Sequence, residues 1–183
     1  MPPLSGYNDR LPDDVLLNTG VLFAGNHPLG ITRGGPVFDP GITYRQTPYD
    51  GQLADRVGLD RRVYYKPHFT GQLVQFGTDD MSRLEPGGVQ TSPGGNVTTR
   101  LTPIAAGTYF TSGQYVTNLR LVYQRGSGGF VQVRMAAALC EKWTVKGTDR
   151  EEGLVDFDFA GKAAAADAEG TAPYVIEYLS AVS

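Results

Sequence analysis

The clearest pattern along the chain is an alternation of apolar and polar residues with a period of two. Leu119, Leu121 and Tyr123 share one side of the segment 115–125, and the segment 130–139 alternates in the same way. A glycine-rich stretch separates the two segments. Alternation places successive side chains on opposite faces of a strand, and glycine supplies the positive φ that tight turns need. The pattern therefore predicts a β-hairpin.

The same reasoning predicts further strands, most of them short and bounded by glycine or proline. Pro67 lies near the start of the longest one and cannot donate a ladder hydrogen bond, which favours an edge or a bulge there. No strand–helix–strand alternation occurs, so a doubly wound nucleotide-binding fold is excluded. We expect a mainly β protein, an antiparallel β-sandwich or barrel. The further predicted strands are residues 21–24, 29–33, 42–46, 63–76, 96–104, 143–146, 154–161 and 174–179.

The remaining segments are predicted to be a helix, a loop and an arm. Residues 78–84 suit a short helix with Thr78 as the N-cap, and the alanine-rich residues 162–169 could form a second. Residues 47–62 are polar and without periodicity, which predicts a long loop, and long loops are often functional. Prolines early in residues 1–20 predict a loose N-terminal arm before a single domain over 21–183.

Composition narrows the class of protein further. Glycine accounts for 24 of 183 residues, about twice its usual share, and the formal net charge is −3. Without a basic surface, tight DNA or RNA binding is not expected. The N-terminal residues lack a basic start followed by an apolar stretch, so we expect no signal peptide and folding in a reducing cytoplasm. The single cysteine, Cys140, lies in an apolar run and is expected to be a buried, inert thiol.

Motifs that carry chemistry are missing from the sequence. There is no Walker, HExxH, GxSxG or CxxC motif, and the only histidines are His27 and His68. Asp156 and Asp158 resemble a metal-binding DxD motif, but the polar face of an alternating strand explains both residues better. We therefore expect a non-enzymatic protein with no catalytic residue, cofactor or metal.

Several segments form an ordered series that resembles a known family. Turns and strands follow one another with matching residues and spacing over residues 18–178. The series resembles the major tail tube proteins of long-tailed bacteriophages. The matching segments are 18–23 (NTGVLF), 28–41 (PLGITRGGPVFDPG), 49–51 (YDG), 58–61 (GLDR), 113–122 (GQYVTNLRLV), 128–133 (GGFVQV) and 152–153 (EG) before the strand that ends at 157–161.

The resemblance implies a virion structural protein. Its β-sandwich, with one short flanking helix, would form hexameric rings that stack into the tail tube through which viral DNA is ejected. Implied partners are further copies of the chain, the tape-measure protein, and the tail terminator and tail-tip or baseplate proteins. DNA would pass only transiently and without specificity. The implied location is the virion tail, after assembly in the host cytoplasm, with no membrane binding by this chain.

Two sets of residues are candidates for the tube. An acidic wall would repel phosphates and let DNA slide, so Asp156 and Asp158 are candidate lumen-facing residues, with Gln132 and Arg134 as the rival set. The loop 47–62 is a candidate for ring-to-ring stacking, the alternative being a mobile surface loop. The stacking candidates in or next to that loop are Tyr49, Asp50, Arg56, Asp60 and Arg61.

Two other functions fit the same composition. One is a different virion component, such as a head decoration, tail terminator or baseplate protein, which would form trimers or single rings. The other is a carbohydrate-binding β-sandwich module, which needs exposed aromatic rings on one face. Tyr64, Tyr65 and Phe69 would supply them, although their alternation along a strand favours packing.

Overall fold

A computed structural model of the protein describes residues 16–46, 60–75, 77–97, 99–125, 129–148, 151–163 and 171–180. Within these ranges every strand pairing is antiparallel, and the predicted mainly β class is confirmed. One short α-helix, α1 (Thr78–Leu84), and one turn of 3-10 helix (Ser112–Gln114) accompany the strands in these ranges. The strands are β1 (Leu16–Ala24), β2 (His27–Pro28), β3 (Ile31–Asp39), β4 (Ile42–Gln46), β5 (Asp60–Tyr65), β6 (His68–Gln75), β7 (Val89–Thr91), β8 (Arg100–Thr102), β9 (Val116–Arg125), β10 (Phe130–Thr148), β11 (Glu151–Lys162) and β12 (Tyr174–Leu179).

Strand β10 organises the main sheet because its two ends have different neighbours. Its first part, residues 130–138, pairs with β9, and residues 130–135 also pair with β12 on the opposite side. Its second part, residues 137–148, pairs with β11. The result is one eight-stranded sheet in the order β2-β1-β9-β10-β11-β6-β3, with β12 beside β10. We call β1, β2, β9, β12 and the start of β10 the first half, and β3, β6, β11 and the end of β10 the second half.

The two halves pack face to face around the core. Phe38 of β3 meets Tyr174 of β12 with ring centroids 5.2 Å apart, and the Tyr123 hydroxyl of β9 donates to the Pro36 carbonyl of β3 at 3.0 Å. Within the described ranges the sheet is open and forms no closed barrel. The core therefore draws its side chains from both halves: Leu22, Leu119, Leu121, Val133 and Met135 from the first, and Phe69, Leu73, Val155, Phe157 and Phe159 from the second.

Burial along β10 shows where the strand passes between the halves. The buried apolar residues are Val133 and Met135, then Ala138 and Cys140, so the positions that face the core change from odd to even numbers. The change falls within three consecutive alanines, residues 136–138. Because alanine side chains are small, β10 can pass from one packed half of the sheet to the other at this point. The sequence suggested two strands, 130–139 and 143–146, where the chain forms one.

Several predicted boundaries are wrong. The predicted strands 29–33 and 96–104 correspond to β3 (Ile31–Asp39) and β8 (Arg100–Thr102), and three further boundaries also differ. The arm was placed at residues 1–20, but β1 begins at Leu16 and pairs with β9. Residues 60–62 of the predicted loop 47–62 belong to β5, which begins at Asp60, and residues 47–59 lie outside the described ranges. The predicted long strand 63–76 is two strands, because Lys66 and Pro67 separate β5 from β6 and the Pro67 carbonyl accepts a hydrogen bond from the Gly161 amide at 2.8 Å.

The helix prediction is confirmed over Thr78–Leu84, with a different cap. The N-cap residue is Gly77, and the Asp80 carboxylate accepts its backbone N–H at 2.8 Å. In the alanine-rich segment, Lys162 ends β11, and residues 164–170 lie outside the described ranges.

Strands β4 and β5 form a separate two-stranded sheet. At the base of this small sheet the Lys66 amide donates a hydrogen bond to the Gly41 carbonyl at 3.0 Å. The centroids of the Tyr65 and Tyr174 rings are 6.3 Å apart. Side chains 43–45 and 60–64 are exposed. We call residues 42–46 and 60–65 the basic arm, because their charged residues are Arg45, Arg61, Arg62 and Asp60.

Candidate assembly surfaces

The candidate lumen residues lie on two different outer faces. Asp156 and Asp158 alternate with the buried Val155, Phe157 and Phe159 of β11, so both aspartates point out of the second half. Gln132 and Arg134 alternate with core residues of β10 in the first half. Since the halves pack face to face, these outer faces point away from each other. At most one of the two sets can therefore line a given channel.

The outer face of β6 and β11, the aspartate face, is a hydrogen-bonded network. Asp156 forms an ion pair with Lys146 and accepts a hydrogen bond from Gln72 Nε2 at 2.8 Å. Both contacts stabilise the carboxylate, and they lower the pKa of Asp156, with Lys146 having the larger effect. The second aspartate, Asp158, lies 2.6 Å from His68 Nδ1.

All four lysines of the chain lie around this face. Lys66 and Lys162 bind Glu141 with N–O distances of 2.9 and 2.5 Å, and Lys162 followed by Lys66 lowers the pKa of that carboxyl. Lys142 is the cross-strand partner of Asp158. Lysines thus balance the carboxylates, and the face lacks the acidic excess on which the lumen prediction was based.

The outer face of the first half holds a smaller polar cluster. Gln132 Nε2 donates to Glu177 of β12, and Arg134 Nη2 lies 3.5 Å from the same carboxylate. These contacts lower the pKa of Glu177, the hydrogen bond from Gln132 most of all. Gln132 is only 5% exposed. The cluster fastens β12 to β10 and leaves no excess of negative charge.

The stacking candidates divide between described and undescribed residues. Tyr49, Asp50 and Arg56 lie outside the described ranges. Asp60 and Arg61 open β5 and so belong to the basic arm rather than to a loop. They remain exposed, as a stacking contact requires.

The basic arm carries an unfavourable arrangement of charge. Arg45 and Arg61 are directly opposite each other across β4 and β5. Arg62 lies over the Tyr44 ring at 5.8 Å, and hydrogen bonds to Tyr65 and then Tyr44 raise its pKa. Like charges directly across an antiparallel pair are destabilising. Contact with an anionic surface would offset the repulsion between these arginines.

Strand β12 is an exposed sheet edge that the sequence reasoning missed as a site. Among the residues that the structure describes it pairs with β10 alone, and apolar side chains on both of its faces are exposed: Val175 by 47%, Ile176 by 52% and Tyr178 by 74%. Free strand edges of this kind invite pairing with another chain. The sequence of residues 174–179 (YVIEYL) did indicate an exposed apolar strand, because these residues are almost all apolar and do not alternate with polar ones.

The aromatic platform needed for carbohydrate binding does not form. Phe69 is fully buried in the core, and Tyr65 is half-buried against Tyr174. Tyr64 is the exposed member of the three. The three rings therefore do not present one flat, solvent-facing surface.

Reactive groups outside these surfaces are few in the described ranges. No group of three or more histidine, cysteine, aspartate or glutamate side chains there could hold a metal ion. Burial raises the pKa of the Cys140 thiol to about 11, so it stays protonated at neutral pH. No helix in the described part of the chain is long and apolar enough to span a membrane.

Comparisons with known proteins find a likeness among solved structures only. No protein-family model matches the chain, and no curated protein matches it. Among solved structures, it is similar to one described as the cryo-EM structure of the anti-feeding prophage cap, the tube terminating cap. The sequence identity is 10% and the TM-score 0.43, over 92% of this chain and 98% of that chain.

Proposed function

We propose that the protein is a structural, non-catalytic component of a bacteriophage tail, and specifically the major tube subunit. Six copies would form a ring, and rings would stack around the tape-measure protein into a conduit for DNA. The tail terminator and tail-tip or baseplate proteins would bind the ends of the tube. The ordered turn-and-strand series supports this proposal.

The free edge of β12 is the structural observation that carries the proposal. In the described part of the chain no strand pairs with the far edge of β12. An unpaired edge with exposed apolar side chains on both faces is an aggregation hazard in a protein that stays monomeric. Closure of copies into a ring removes the hazard because each edge is covered by the next subunit. We infer that β12 lies at the contact between neighbouring subunits of one ring.

Exposed side chains on β12 give a direct test. The double variant Val175→Glu/Tyr178→Glu places two negative charges on the exposed edge of β12. Within the subunit these carboxylates lie close to Arg134 and Arg125, whose positive charges can stabilise them. The control is Val89→Glu with Val97→Glu, two exposed valines in other parts of the chain. Both variants change the net charge equally.

Negative-stain microscopy and sedimentation velocity should separate the two variants. We expect rings or tubes from the wild-type chain and from the control, and monomers from V175E/Y178E. Rings that never stack, from the wild-type chain, would favour a tail terminator. A wild-type chain that stays monomeric at high concentration, also with a tail-tip complex as seed, would contradict the proposal.

We also propose that the aspartate face lines the lumen. Its lysines predict a wall close to neutral, on which phosphates are neither strongly trapped nor strongly repelled. A cryo-EM structure of the tube in which Asp156 and Asp158 both point outward would overturn this assignment.

A further inference from the structure

The ring contact proposed above needs a second surface on each copy. A closed ring of identical subunits is built from heterologous contacts, in which one surface of a subunit meets a different surface of the next. The β12 edge supplies the first surface, with Val175, Ile176 and Tyr178 exposed. The second surface should be apolar, poor in charge and open to solvent in the single chain, because the centres of interfaces have that composition.

A groove beside α1 has these properties. Its apolar lining is formed by Leu84, Pro86, Phe110 and Trp143, and its volume is about 350 Å³. Phe110 is 36% exposed and Trp143 is 39% exposed, although both are large apolar side chains. Tryptophan is among the residues that carry most of the binding energy in interfaces. The groove therefore offers a site for apolar side chains of a second copy.

The loop that leads to the groove carries no charge. None of the nineteen residues 101–119 is charged, whereas charged residues make up 19% of the whole chain. Within this stretch residues 105–113 are all exposed, and Tyr109 is 93% exposed. Depletion of charge together with exposed aromatic rings is the composition that distinguishes interfaces from other surface. We call residues 105–110 the uncharged loop.

The charges that border the two surfaces are complementary. At the groove, the Glu85 carboxylate accepts a hydrogen bond from Trp143 Nε1 at 3.0 Å, and no basic side chain in the described ranges forms an ion pair with it. The other two charged residues that line the groove lie beside oppositely charged side chains of the aspartate face. Next to β12, the Arg125 guanidinium lies over the Tyr178 ring at 5.5 Å. A Tyr178 ring bound in the groove would bring this guanidinium toward Glu85.

We propose that the β12 edge of one copy docks in the groove of the neighbouring copy in the ring. Ile176 and Tyr178 alternate along the strand and so share one face, which lets both enter one groove. There they contact Phe110 and Trp143, and the uncharged loop covers the edge from solvent. The contact is heterologous, so it repeats from copy to copy until the ring closes. This inference rests on the proposed tube function and names the surface that β12 meets.

Two variants, each with one disabled surface, test which surfaces meet. Y109E/F110E places two carboxylates at the groove, and V175E/Y178E disables the β12 edge. Each lowers the net charge of −3 by two, and so does the control V89E/V97E. Tyr109→Glu alone is a milder variant that should leave folding intact, because this side chain is 93% exposed. Circular dichroism checks the folding of every variant, and Tyr109→Glu replaces Y109E/F110E in both experiments if the double variant is unfolded.

Sedimentation velocity and negative-stain images supply the measurement. We expect Y109E/F110E to need at least about tenfold more protein than V89E/V97E to form rings, because burying an unpaired charge in an interface strongly opposes association. An equimolar mixture of Y109E/F110E and V175E/Y178E should form heterodimers and no rings. The intact edge of the first variant fits the intact groove of the second, and only the two disabled surfaces are left. A fluorescent label on one variant shows that each dimer contains one copy of both.

Three outcomes would overturn this inference alone. Rings of Y109E/F110E at the concentration of the control would remove the groove from the contact. Dimers of Y109E/F110E by itself would show that two β12 edges pair with each other instead. A mixture that stays monomeric at ten times the concentration at which the wild-type chain forms rings would show that edge and groove do not meet. The proposed ring function survives each of these results, whereas a wild-type chain that never associates would overturn both.

Discussion

Gly71 of β6 offers a sharp test of how closely the layers of the fold are packed. A Cβ atom at this position would lie 2.8 Å from Phe157 Cζ, 3.2 Å from Phe157 Cε1 and 3.3 Å from the Pro36 Cα. The Gly71 backbone is outside the left-handed region, so alanine would not strain φ. Gly71→Ala therefore isolates the steric effect of one added methyl group.

The expected size of the effect follows from these distances. A contact at 2.8 Å must be relieved by movement, and Phe157 is 3% exposed with the Phe159 ring centroid 5.6 Å away. Overpacking of a core costs about 1–3 kcal/mol. Replacing glycine by alanine recovers about 0.4–1 kcal/mol through the unfolded chain. We expect a net loss of about 1–2 kcal/mol in the free energy of unfolding.

Urea unfolding followed by circular dichroism, below the concentration of assembly, measures this loss. Gly153→Ala is the control, because its nearest neighbour would be the Lys146 carbonyl oxygen at 3.9 Å. A second experiment repeats Gly71→Ala in a Phe157→Leu background, in which the ring atoms that crowd the added methyl group are absent. There the loss should shrink by about 1 kcal/mol or more. Equal stability of the two alanine variants, or no coupling to Phe157, would refute the packing described.

Two further predictions concern titratable groups. Because Lys146 stabilises the Asp156 carboxylate, its pKa lies below the ordinary value, and the associated stability is present near neutral pH and lost as pH falls through the lowered pKa. Carbon-13 NMR of the carboxyl should show Lys146→Met raising that pKa, and Lys142→Met raising it less. Cys140, with its thiol pKa raised to about 11, should react slowly with iodoacetamide at pH 8 in the folded chain and readily after unfolding.

The contrary results are equally clear. An Asp156 pKa unchanged by Lys146→Met would mean that the ion pair is absent in solution. Rapid alkylation of Cys140 in the folded chain would show that the thiol is accessible and not shielded by the core.

Local patterns predicted most strands because a strand's alternation is written in neighbouring residues. The hairpin of β9 and β10, the helix α1 and the final strand Tyr174–Leu179 were all predicted from such patterns. Boundaries failed where a distant partner decided them. Leu16 belongs to a strand because Arg125 lies opposite, and no pattern near Leu16 indicates that partner.

The candidate surfaces show the same division. The sequence placed Asp156 and Asp158 on one polar face, which the alternation of β11 required. It could not show that Lys146 would pair with Asp156, or that Lys142 would lie opposite Asp158, since both contacts depend on the register of β10 against β11. It also could not show that Gln132 and Asp156 point out of opposite halves of the sheet.

The sequence by itself determined the class of the protein. An antiparallel β fold, a glycine-rich set of turns, a core cysteine and the absence of familiar catalytic motifs all follow from residue types and near-neighbour spacing. Only the tertiary structure decided which of the described strand edges stay open and which charges on the outer faces are balanced. These properties depend on strand order and register, which arise from contacts between residues distant in sequence.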